Sequence, residues 1–144
     1  MKRIFAAIAL LVLASFVTYA QDKPCECVSD VRTTAAYSML ILRKVAVEAA
    51  LEKVLSENTS EHPSAKSKQI ELDVLNNEME KMSATEASNL VKLSSGYGRL
   101  TLQKVKLASE LQTLRLQYTS THPDVKFKKV ELKLLEDEIA KIMR

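Results

Sequence analysis

The chain has 144 residues, 47% hydrophobic but only 5% aromatic, with 21 lysines and arginines against 18 acidic side chains. So small a positive excess, with so few rings, argues against a nucleic-acid binder, which needs a basic face and aromatic side chains for stacking. Two glycines, three prolines and no tryptophan, in a chain rich in Ala, Leu, Lys and Glu, point to long helices rather than a sheet.

The N-terminus reads as an export signal. Met1-Lys2-Arg3 is basic, Ile4 to Phe16 is apolar, and Val17-Thr18-Tyr19-Ala20 ends in a small residue before polar Gln21-Asp22. The apolar run is shorter than the ~20 residues that span a bilayer. Residues 1–20 are therefore predicted to be cleaved, leaving an exported chain, periplasmic in a bacterium or secreted, without a membrane span. Losing Lys2 and Arg3 takes 21 basic side chains to 19, against 18 acidic ones, so the apparent basicity belongs partly to the signal. Asp22-Lys23-Pro24 before Cys25 does not suit lipid attachment.

Cys25-Glu26-Cys27 comes just after the signal. Exported proteins meet oxidising conditions, so this pair is read as a disulfide or an N-terminal tether. A bridge across one intervening residue is strained and labile, and a bridge between chains is the alternative. A redox enzyme would instead carry Cys-x-x-Cys in a βαβ setting.

Residues 24–83 and 84–143 are two copies of one unit, aligned without a gap by a shift of 60. The shift carries Tyr37 onto Tyr97, Leu40 onto Leu100, Leu42 onto Leu102 and Lys44-Val45 onto Lys104-Val105. It carries Thr59-Ser60-Glu61-His62-Pro63 onto Thr119-Ser120-Thr121-His122-Pro123. Lys66, Lys68, Glu71-Leu72, Leu75, Glu78 and Lys81 fall on Lys126, Lys128, Glu131-Leu132, Leu135, Glu138 and Lys141, and about a third of aligned positions are identical. Such a repeat is one supersecondary unit copied in tandem. Residues 21–143 are thus expected to form one helical domain of two repeats.

Within each unit apolar residues recur at a 3/4 spacing, the mark of helices packed along a seam. The first unit reads Tyr37, Leu40, Lys44, Val47, Leu51, Val54, then Ala65, Leu72, Leu75, Met79, Met82. The second reads Tyr97, Leu100, Lys104, Leu107, Leu111, Leu114, Tyr118, then Val125, Leu132, Leu135, Ile139, Ile142. His-Pro divides each unit. Proline suits the first helical position, where its missing N–H is no loss, and it drives the preceding residue out of the α region. His62-Pro63 and His122-Pro123 are therefore predicted to cap the second helix of each hairpin, with Asp124 favourable at the positive end of its dipole.

Asn58 is suited to a left-handed ending of the first helix, and Tyr118 is not, so the two turns are expected to differ. Ser83-Ala84-Thr85-Glu86 reads as a capping box. Ser94-Ser95-Gly96 is expected to break or kink the helix that follows. Helices over 97–117 and 123–143 are each about 31 Å long. The expected fold is all-α: two tandem antiparallel helical hairpins, as a four-helix bundle or a coiled-coil-like pair, with both His-Pro turns at one end if the bundle is compact.

The candidates for chemistry are few. His62 and His122, the only histidines, could share a metal if brought together. Zinc takes three or four protein ligands, no His or Cys neighbours either one, and Glu57 becomes Gln117 in the second unit. The capping role explains both, so neither a metal nor a cofactor is expected. Lys44, Lys68, Lys104 and Lys128 sit inside apolar stripes and are expected to snorkel or to pair with Glu71 or Glu131. Glu71, Glu78, Glu131 and Glu138 are expected on exposed faces as helix-pairing charges. A second apolar strip, Leu102, Val105 and Leu116, echoed by Leu42 and Val45, marks a candidate interaction face for the other hairpin, a second molecule or a client.

The stretch Leu114-Arg115-Leu116-Gln117-Tyr118-Thr119-Ser120-Thr121-His122-Pro123-Asp124-Val125-Lys126, continuing to Leu132 and Leu135, resembles a segment of bacterial polysaccharide chain-length determinant proteins. Those proteins carry a Tyr-Thr-x-x-His-Pro-x-Val turn within a periplasmic helical coiled coil. The first unit matches less closely, with Asn58 for Tyr118 and Ala65 for Val125. The resemblance covers about 30 residues of each unit and implies an exported helical hairpin. The family's membrane-spanning helices, α/β base domain and kinase have no counterpart in this sequence.

Together these features describe an exported, non-enzymatic helical scaffold or adaptor that acts by protein binding or self-association. An ATP-independent periplasmic chaperone is the second expectation, and a metal or redox protein using His62, His122, Cys25 or Cys27 the third.

Overall fold

Four local signals start the helices. Thr34 and Ser94, equivalent in the repeat, accept hydrogen bonds from the N–H groups of Tyr37 and Tyr97, each at 3.3 Å. His62 and His122 do the same through Nδ1 for the N–H groups of Ser64 and Asp124, again at 3.3 Å. Each satisfies an otherwise unpaired amide of a first turn. The resulting helices are α1 Ala35–Glu57, α2 Pro63–Ser83, α3 Ser95–Gln117 and α4 Pro123–Met143. Short 3-10 turns, Val31–Thr33 and Ala87–Lys92, precede α1 and α3. The computed structural model describes residues 30–144, and these contain no strand. The proposed signal and the Cys25-Glu26-Cys27 stretch lie outside the described residues.

The fold is all-α, two helical hairpins in tandem. Both hairpin turns are built alike, contrary to expectation. Asn58 is extended at φ −141°, not left-handed, and Tyr118 matches it at φ −130°. The extended residue leads into a tight turn closed by His62 N–H to Thr59 O and His122 N–H to Thr119 O, both 3.0 Å. The shared Thr-Ser-x-His-Pro therefore decides the geometry, and the residue at 58 or 118 does not.

The junction between hairpins also differs from expectation. Ser83 is the last residue of α2, and its hydroxyl donates back to Met79 O at 2.9 Å. Glu86 makes no side-chain cap. The chain instead runs through the 3-10 turn, which drives Leu90 and Leu93 into the core. Ser94 then starts α3 cleanly, so α2 and α3 do not merge.

The main cluster gathers Ala36 and Leu40 of α1, Val74, Leu75 and Met82 of α2, Leu90 and Leu93 of the junction, and Val105 of α3. It sits at the end of the molecule opposite the His-Pro turns. Burying each of Leu40, Leu75 and Val105, all under 2% exposed, is worth about 1.5–3 kcal/mol. There α3 crosses α1 closely: a Cβ on Gly98 would lie 2.8 Å from the Ala36 Cα. Towards the turns the hairpins splay, and a cleft of about 480 Å³ opens beside Ser67, Glu71, Lys106 and Ser109.

The bundle is not closed. α3 packs on both helices of the first hairpin, while α4 makes its extensive contacts with α3. Only Val125 and Ile139 of α4 are buried.

Candidate functional site

The two histidines lie at one end of the molecule, as the compact arrangement requires. A cleft there is lined by Glu61 and Pro63 of the first turn and by Leu116 and Gln117 beside the second. Each Nδ1 is occupied as a cap acceptor, which places the ring proton of the neutral imidazole on Nε2. Tyr118 stacks on His122 with ring centroids 4.2 Å apart, a contact Asn58 does not offer His62. Among the described residues no group of three or more His, Cys, Asp or Glu is arranged to hold a metal ion.

The charged residues are placed differently from expectation. Glu71 and Glu78 are buried, because α3 lies over α2. Glu71 accepts from Arg43 of α1, through Nε at 2.8 Å and also Nη2, and from Lys68 at 3.0 Å. Burial pushes the Glu71 carboxyl up, but the hydrogen bonds and charges of Arg43 and Lys68 outweigh it and hold the group below its ordinary value. Glu78 binds Lys81 at 2.7 Å through Oε1 and Lys104 at 3.1 Å through Oε2. Lys104 also reaches Glu136 at 3.5 Å, so one ammonium joins α2, α3 and α4. In the second hairpin Lys128 holds Glu110 and Glu131, each at 3.0 Å, and Glu138 remains exposed with Lys141 at 2.6 Å.

The candidate interaction face divides in two. Leu42, Val45 and Leu116 are exposed, as that face requires. Leu102 is half-buried and Val105 is 1% exposed. These two belong to the contact between hairpins and are not available to a partner. A further strip, not singled out in the sequence, lies on α4: Phe127, Val130 and Leu134, all exposed. Its i, i+3, i+7 spacing is legible in the sequence, although it lies off the seam that carries Val125 and Ile139.

No protein-family model, curated protein or solved structure matches the chain significantly. Among the described residues no helix is long and apolar enough to cross a membrane.

Proposed function

We propose that this chain is an exported, non-enzymatic scaffold or adaptor, periplasmic if the source is bacterial, whose working surfaces are its outer helix faces. One observation carries the reading: two apolar strips stand exposed on the outer helices, Leu42 and Val45 on α1 and Phe127, Val130 and Leu134 on α4. Contiguous exposed apolar surface of this kind marks an interaction site. The resemblance of the Tyr118–Val125 turn to polysaccharide chain-length determinants supports an exported helical hairpin, and Cys25 and Cys27 suit a tether near its start. Photo-reactive residues placed at Leu42 and Phe127 in the producing cell should give discrete protein adducts. Adducts no stronger than those from the exposed control position Asp73 would sink the proposal.

A chaperone that holds unfolded clients without ATP draws on the same exposed Phe127 strip. It predicts suppression of client aggregation at stoichiometric ratio, and a helical protein that fails to suppress removes it.

A further inference from the structure

The two halves of the repeat share one pattern, with about a third of positions identical, in opposite states of exposure. On α3, Thr101, Val105 and Ser109 are buried against the first hairpin. Their images 60 residues earlier on α1, Ile41, Val45 and Ala49, are exposed. On α2, Val74 and Glu78 are buried beneath α3. Their images on α4, Leu134 and Glu138, are exposed. The contact inside the chain thus joins an "upper" face of hairpin two to a "lower" face of hairpin one. It leaves hairpin one with an open upper face and hairpin two with an open lower face.

We propose that these open faces bind each other in a second copy of the chain: hairpin one of one molecule docks on hairpin two of the next, repeating the internal interface. The proposal rests on the helix faces being the working surface. Charge supports the match. Inside the chain Lys104 binds Oε2 of Glu78, whose Oε1 holds Lys81. The images are Lys44 and Glu138. Oε1 of Glu138 holds Lys141, and no lysine among the described residues reaches its Oε2. Among the described residues Lys44 meets only Glu48, at 3.8 Å.

Shape supports it too. Inside the chain the small Ser67 lies across a cleft from Lys106 and Ser109. At the joint Phe127 would face Ala46 and Ala49, a large apolar side chain against two small ones. The close crossing of Gly98 over Ala36 becomes Ser38 over Gly96. Ser38 carries the Cβ that Gly98 lacks, and inside the chain a Cβ there would lie 2.8 Å from backbone, so the two helices of the joint must stand further apart at this point than α1 and α3 do.

Because the two faces differ, one joint satisfies neither molecule fully. Such a heterologous contact closes into a ring or grows as an open stack. The test is the mass of the protein as recovered from cells, by sedimentation over a concentration series, with reductant present so that Cys25 and Cys27 contribute no bridges. The mass should rise with concentration beyond two chains. Val45→Glu and Leu134→Glu should each leave monomers with unchanged helical circular dichroism. Mixed in equal amounts they should form a one-to-one dimer and nothing larger, since the mixture contains one intact pair of faces. Lys44→Glu should weaken assembly roughly tenfold or more, and mixing it with Glu138→Lys should restore it. A wild type that is monomeric at its highest soluble concentration overturns the joint, as does a dimer that survives either glutamate substitution. Adducts to a different protein at Leu42 or Phe127, with a monomeric wild type, would overturn the joint while leaving the scaffold function standing.

Discussion

Replacing Lys104 by alanine should destabilise the protein, and the repeat supplies the control. The Lys104 and Glu78 side chains are 16% and 10% exposed. Breaking a fully buried pair costs roughly 3–5 kcal/mol, because the remaining charge has lost its partner. Glu78 retains Lys81, at its partly exposed edge, so the expected cost of Lys104→Ala is about 2 kcal/mol. For a domain of this size that lowers the thermal midpoint by about 10 °C. Lys44→Ala removes the same residue from the equivalent place in the uncovered hairpin. There its one acidic neighbour among the described residues is Glu48 at 3.8 Å, with both side chains a third or more exposed, and the cost should be below about 0.5 kcal/mol. Lys104→Met with Glu78→Leu removes both charges together and should return to within about 1 kcal/mol of wild type. Urea unfolding followed by circular dichroism, at a concentration low enough to keep single chains, measures all four variants. Equal losses from Lys104→Ala and Lys44→Ala, or a double variant no better than Lys104→Ala, would refute the account of a covered and an uncovered copy.

The remaining predictions use the same unfolding assay. His62→Ala and His122→Ala should each cost about 1 kcal/mol through loss of a cap, with His122→Ala the larger because Tyr118 also loses its stacking partner. Gly98→Ala should destabilise by about 1–3 kcal/mol, since its Cβ meets the backbone of Ala36. Gly96→Ala, whose Cβ would make only an ordinary contact with Ser94 Oγ at 3.6 Å, should stabilise by up to about 0.5 kcal/mol. Glu71 has a folded pKa below its ordinary value of 4.5. Its contribution is therefore fully present above that value and is lost as pH falls through the lower, folded one. Arg43→Gln should shrink this acid-dependent loss and raise the pH at which it is complete.

Local features were the legible ones. The His-Pro caps follow from proline's missing N–H and its restriction of the preceding residue, neither of which depends on the rest of the fold. The seams containing Leu75, Leu107 and Leu111 follow from periodicity. What the sequence could not show was which copy of a face is covered. Leu42 and Leu102, Val45 and Val105, Glu78 and Glu138 are identical pairs with opposite environments, and only the order in which the hairpins stack distinguishes them. The capping box at Ser83 failed for a related reason. A local propensity for a new helix yields when Leu90 and Leu93 must turn inward to close the core. Asn58 shows the opposite case, in which the Thr-Ser-x-His-Pro that follows overrides a single residue's preference.

The placement of α4 outside the three-helix cluster divides the molecule into parts of unequal cooperativity. Val125 and Ile139 are its only buried residues and Met143 only flanks the main cluster, whose buried members come from α1, α2, the junction and α3. Peeling α4 away would bare the Leu107–Leu111 side of α3 and free Lys104 from Glu136, while Ala36, Leu75 and Val105 stayed packed. Such a subglobal opening needs less free energy than complete unfolding. The C-terminal helix is then a separate foldon, last to dock as the chain folds and first to detach. Any neighbour that settles on Phe127 and Leu134 acts as a latch upon it, raising the amide protection of α4 more than that of the rest of the molecule.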